Sequence, residues 1–164
     1  MGFFSDLAKN ITGGWADLSM SVAPARRGES ATVTVNFSVK DDPVDVSKIA
    51  VKVRCQEIVQ TETVRTTPRP GGQMQNGGHG SAATTTSTQS GTKTESLYQQ
   101  EVVAAPAQQF EGGTQHTFTV DVPIPAHLPP SFRGRNARIE WQAYASADMK
   151  GNDPDSGWQT FEVQ

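Results

Sequence analysis

Apolar and polar residues alternate with a period of two along most of this chain. Leu18, Met20 and Val22 are interleaved with Ser19 and Ser21. In "ATVTVNFSV", Val33, Val35, Phe37 and Val39 oppose Thr32, Thr34, Asn36 and Ser38. "KIAVKVRCQEIV" sets Ile49, Val51, Val53 and Cys55 against Lys52, Arg54 and Gln56. The same rhythm returns in "TQHTFTVDVPI", with His116, Phe118, Val120 and Val122 on one face, and in "NARIEWQAYASAD", with Ile139, Trp141, Ala143 and Ala145. A last short strand is expected in "WQTFEVQ". Strict alternation marks strands with one buried and one wet face. Turn clusters such as "PARRGES", "DDPVD" and "MKGNDPDSG" separate them. The pattern predicts an all-β chain folded as an antiparallel, immunoglobulin-like β-sandwich.

The rhythm fails in three places. In "GFFSDLAKNITGG", Phe4, Leu7, Ala8 and Ile11 fall at helical spacing, which predicts a short N-terminal helix and linker over residues 1–14. A membrane contact would call for a basic polar face, and Lys9 beside Asp6 does not supply one; a helix capping the open end of the core is the better expectation. From Thr66 to about Ser96 the chain is rich in Thr, Ser, Gly and Gln, with almost nothing to bury. Between the strand-like flanks "EIVQTETVR" and "ESLYQQEVV" this predicts a hairpin with a flexible insert over 66–96, either a binding arm or a solvated linker. Third, Pro123, Pro125, Pro129 and Pro130 crowd one crossing, "VPIPAHLPPSFRGR". Each proline fixes φ and removes a backbone donor, so ladder pairing is not expected to continue there. Phe132 is expected to plug the end of this segment and Gly134 to turn it.

At 164 residues with a net charge of −3, the chain fits one domain, residues 15–164 after the helix, with no electrostatic case for nucleic acid. A single cysteine, Cys55, excludes an intrachain disulfide and a Cys-rich zinc site. Its core-facing register predicts an inert thiol. No window reaches the length of a membrane span, and a cytoplasmic location is expected.

Candidate chemistry is sparse. His79, His116 and His127 form no metal-binding spacing. Asp148, Asn152, Asp153 and Asp155 read as a hairpin turn rather than a calcium loop. No phosphate-binding glycine loop, nucleophile elbow or paired catalytic carboxylates are found, so neither an enzyme nor a cofactor is expected. The candidate contacts are protein-binding: Met74, Asn76, His79 and Thr85 in the hairpin insert, and Arg133, Arg135 and Arg138 after the proline crossing.

The stretch "FEGGTQHTFTVDVPIPAHLPPSFRGRNARIEWQAYASAD" resembles the corresponding part of arrestin-fold N-terminal domains. There a strand ending in an "IP" step runs through "LPPSF.G" into a strand of the form "I.W.A.A..D". "RRGESATVTVNFSV" and "IAVKVRCQEIV" resemble the two early strands of such domains, and the opening "GFFSDLAKNI" resembles the bacterial sporulation-control branch. The resemblance implies an arrestin-type sandwich serving as a non-enzymatic scaffold or regulatory adaptor in bacterial stress or developmental control. Its partner would be an unidentified protein, and the chain a monomer or homodimer. The chain has length for one sandwich where arrestins have two, and the PPxY tails of the eukaryotic adaptors are missing. The alternative function is a structural or self-assembling sandwich module of a surface or particle.

Overall fold

The computed structural model describes residues 14–68, 84–151 and 153–164. Among the described residues, nine strands follow in chain order: β1 (Ala16–Val22), β2 (Ser30–Val39), β3 (Val44–Pro68), β4 (Thr84–Ala105), β5 (Gln108–Phe110), β6 (Gln115–Pro123), β7 (Phe132–Arg133), β8 (Ala137–Met149) and β9 (Gln159–Phe161). One sheet has the order β1-β2-β6. The other runs β4-β3-β8-β7, with β5 paired to β3 and β9 to β8. All pairings between these strands are antiparallel. The expected all-β, antiparallel architecture is observed. The expected N-terminal helix falls on residues of which all but Gly14 lie outside those described.

The core lies where the alternation puts it. Leu18, Met20, Val33, Val35, Phe37 and Val122 from the smaller sheet are buried, as are Ile49, Val51, Val53, Cys55, Trp141, Ala143 and Ala145 from the larger. Across β3 and β8 the register sets Val51 beside Ala145, Val53 beside Ala143 and Cys55 beside Trp141. Small side chains on β8 leave depth for the larger ones that descend from the facing sheet, so the two layers interdigitate. Phe110 closes one end against Phe37 and His116, with ring centroids 5.1 and 4.7 Å away.

The proline crossing carries the chain from β6 in one sheet to β7 in the other. It keeps few ladder bonds of its own, and its polar groups are tied off singly. Gly28, at a φ of 81°, donates its N–H to the Ile124 carbonyl at 2.7 Å, and Ile124 donates to Glu29 at 2.8 Å. The Pro129 carbonyl accepts the indole N–H of the fully buried Trp141 at 3.0 Å. Ser131 donates its N–H to Val163 and accepts from the Val163 N–H through its hydroxyl. Ile124 and Leu128 are the buried side chains of the segment. Phe132 is not the expected plug, since it remains 57% exposed. It stands opposite Ile139 on β7, the outermost strand on one side of the larger sheet, where no described residue closes over it.

Of residues 66–96, those at 66–68 and 84–96 are described. Where no regular pattern is legible in sequence, β3 and β4 stay paired, from Ile49 with Ala105 out to Pro68 with Thr84. Pairing of β3 with β8 stops at Val59 with Ala137, and the Gln60 N–H bonds to the Asn136 carbonyl at 2.8 Å. Beyond Gln60 the two strands continue as a two-stranded arm in which every described residue is exposed. At ~3.3 Å per residue, the stretch from Gln60 to Pro68 spans about 30 Å. With water on both faces there is no apolar side to alternate with, which is why the period-two signal fades there.

The crossing yields one test. Trp141→Phe preserves most of the buried ring but leaves the Pro129 carbonyl without its donor. Loss of a buried hydrogen bond of this kind costs about 1–3 kcal/mol, so the variant's denaturation midpoint should fall without a change in slope.

Candidate functional site

The three arginines singled out by sequence come together at the base of the arm. β7 and β8 form a tight hairpin in which Arg133 stands directly opposite Arg138, and the Gly134 N–H bonds to the Ala137 carbonyl at 2.8 Å. Gly134 leaves room for the Phe132 ring beside the turn. A Cβ there would lie 2.9 Å from the Phe132 ring and 3.1 Å from the Ala137 carbonyl oxygen. The hairpin's Asn136 carbonyl ties this turn to Gln60, the first residue of the arm. A groove of about 380 Å³ results, lined by Ile58, Gln60, Arg133, Arg135, Arg138 and Glu140. A second groove of about 380 Å³ shares Arg133, Arg138 and Glu140 and extends to Phe132, Thr160 and Glu162.

Charge is unevenly met in this site. Arg138 donates through Nε to Glu140 Oε1 at 2.7 Å. Glu140 also accepts from Gln142, whose own side-chain oxygen accepts from Arg54 Nε at 2.9 Å. Arg54 lies over the Trp158 ring, 3.7 Å from its centroid, and Trp158 packs against Tyr144 at 5.1 Å. A polar and aromatic chain therefore runs across the outer face of the larger sheet from Arg138 to Tyr144. It fixes Arg138 and Glu140 in place. Arg133 and Arg135 make no ion pair among the described residues.

Of the other sequence-predicted contacts, Thr85 lies on the exposed arm opposite Thr67. It is not brought near the arginines by pairing. Met74, Asn76 and His79 lie outside the described residues. Sequence reasoning missed Ile58, Gln60 and Glu140 as partners of the arginine groove. The "RIEWQ" alternation did place Glu140 on the outward face, but nothing local shows that β3 lies beside it.

The remaining reactive groups are committed to structure. Cys55 is buried, and loss of hydration pushes its thiol up to about 11. His116 is half-buried, with Nε2 2.9 Å from the Thr114 hydroxyl, and stacks near Phe118. His127 is exposed on the crossing. In the acidic turn, Asp153 accepts the Met149 N–H at 2.9 Å and Asp155 accepts the Gly157 N–H at 2.8 Å. These carboxylates close the hairpin, as the turn reading expects. Burial, with help from Asp155, raises the Tyr144 phenol above its usual value. Among the described residues no three His, Cys, Asp or Glu side chains are grouped to hold a metal ion. No described helix is long and apolar enough to cross a membrane.

No protein-family model and no curated protein matches this sequence. Among solved structures, the chain is similar to Spo0M, a sporulation control protein from Bacillus subtilis, with a TM-score of 0.58 at 13% identity. The likeness shows the fold. It covers 93% of this chain and 50% of Spo0M, so the chain spans about half the length of that protein. The antiparallel sandwich expected from the strand alternation thus has a solved counterpart of similar fold.

The thiol offers a direct check. At pH 8 the folded protein should leave Cys55 unmodified by a thiol-specific reagent over hours, and denaturant should release full reactivity within minutes. The sign follows from the raised thiol value, since the thiolate is the reacting species and is scarce well below pH 11.

Proposed function

We propose that this chain is a non-enzymatic regulatory module of the arrestin-like kind that binds a protein partner through the arginine groove. One observation carries the reading: two arginines are set directly opposite each other on adjacent strands, with a third in the turn between them. Like charges placed across a strand pair destabilise each other. One carboxylate, on Arg138, offsets this arrangement, and it leaves Arg133 and Arg135 unpaired among the described residues. An anionic ligand laid along the groove would relieve that repulsion. The guanidinium fork suits a planar carboxylate better than an ammonium does. The groove is open, flanked by the exposed Phe132, and lies beside the edge strand β7, a setting that fits an extended acidic peptide segment.

The chain's overall net charge of −3 makes the local basic cluster a means of selecting one region of a partner rather than a general attraction for polyanions. The likeness to a sporulation control protein supports placing this activity in cytoplasmic regulation, including bacterial stress or developmental control.

The test is a titration of the full chain with a labelled peptide rich in Asp and Glu, alongside a Lys-rich peptide of equal length. Saturable binding of the acidic peptide alone is expected. R133S/R135S should weaken it about tenfold or more, in line with the loss of two charge-assisted contacts. Rising salt should weaken the wild type more than the variant. Equal binding by the variant, or equal binding of the two peptides, would remove the groove from the account.

A further inference from the structure

A different surface lies along the outer edge of β4. β4 is the outermost strand of the larger sheet on one side, and from Thr84 to Ser96 all its side chains are exposed. Protein edge strands are ordinarily kept short or blunted by proline, charge or a bulge, because their free N–H and C=O groups pair with any matching strand. In β4 the register is interrupted at Leu97, between Ser96 opposite Gln56 and Tyr98 opposite Cys55, where the strand reaches the sandwich. The arm side, Thr84–Ser96, has no proline and carries two charges, Lys93 and Glu95. Those two side chains sit on one face of β4 at the base of the arm, opposite Val59 and Glu57, 4.0 Å apart and largely exposed.

The spacing of these charges fits a second copy of the same strand. When two identical strands pair antiparallel about a two-fold axis normal to the sheet, one residue faces itself on the axis and its neighbours pair symmetrically. An axis at Lys93 would set lysine against lysine, and one at Glu95 would set glutamate against glutamate. With the axis at Thr94, Lys93 of each copy faces Glu95 of the other, giving two ion pairs and no like-charge pair in this stretch. The same register puts Thr92 opposite Ser96 and Gly91 opposite Leu97 of the second copy. Threonine, serine and opposite-charge pairs of this kind each favour a cross-strand ladder.

We propose that two copies of this chain associate through β4 as an antiparallel pair centred on Thr94, which joins their larger sheets into one. The interface is isologous, so it closes at a dimer and does not propagate. It covers the open edge of an arm that has no core of its own. An isolated two-stranded ribbon is marginal in water, and a third and fourth strand supply the missing ladder.

Sedimentation velocity of the full chain from about 5 to 500 µM in low salt tests this. The expected result is a concentration-dependent species of twice the 17.6 kDa chain mass. K93E and E95K should each raise the dissociation constant about fivefold or more, because each turns both ion pairs into like-charge pairs. The double swap K93E/E95K should return it close to the wild-type value. Both positions are exposed, and circular dichroism checks that the single variants fold. In addition, T94C should form an intermolecular disulfide under mild oxidation, whereas T88C should not, since residue 88 does not face itself in this register. A chain that stays at 17.6 kDa throughout overturns the proposal, as does a dimer indifferent to the single swaps or one that crosslinks equally at both positions. R133S/R135S should leave the dimer intact, so failure here is distinguishable from failure of the groove.

Discussion

Strand β3 is the constraint on which the rest of the molecule depends. Over Ile49–Val59 it is paired on both sides, by β4 and β8, while its start pairs with β5 and its far end, Gln60–Pro68, with β4 alone. Its inner face supplies four consecutive alternate core residues, Ile49, Val51, Val53 and Cys55, none of them measurably exposed. A register slip by one residue would turn all four to solvent and bring Lys52 and Arg54 into the core. Burial therefore locks the register at the sandwich end; the β3–β4 ladder shifts once more, between Cys55 and Gln56, and from there runs without a further shift to the end of the arm. Lys93 and Glu95 are placed in this way just past that bulge, opposite Val59 and Glu57 on either side of the buried Ile58.

The arginine groove depends on the same strand by another route. The proline crossing delivers the chain to the far side of the larger sheet, where β7 and β8 turn back tightly around Gly134. The turn then docks on β3 at Gln60, the residue where the sandwich ends and the arm begins. Groove and arm base are thus held by one hydrogen-bonded junction. The Trp141 indole, which anchors the crossing through Pro129, stands opposite Cys55 of β3. The exposed ion pairs contribute little to this framework. Lys48 and Glu101 bond at 2.6 Å, which raises the lysine and lowers the carboxylate, but both sit at the surface where solvent screens them.

How much of this was legible in the sequence follows from where the apolar residues are. Leu18 to Val39, Ile49 to Cys55 and Trp141 to Ala145 each face a core on one side, and their alternation announced both strand and face. Phe132 obeys the same parity opposite Ile139, but it lies on an edge strand that no described residue covers, so an apolar residue at the expected place remained in solvent. The arm failed for the opposite reason. With both faces wet, Thr84–Ser96 has no alternation to show, and the one signal left was the high strand propensity of its threonines. The arginine cluster was visible as a spacing, whereas Glu140's engagement of Arg138 and the docking of Gln60 needed the register of three strands. The fold likeness to Spo0M adds the architecture and leaves the surface chemistry to this chain's own residues.

The claim that one continuous strand serves both core and arm is tested most directly by amide hydrogen exchange along β3. Protection near the limit set by global unfolding is expected from Ile49 to Val59. A lower but definite protection, well above that of an unstructured peptide, should persist at alternate residues from Thr61 to Thr67. Exchange at unstructured rates immediately after Gln60 would contradict the account, because the arm would then have no ladder and no register to inherit.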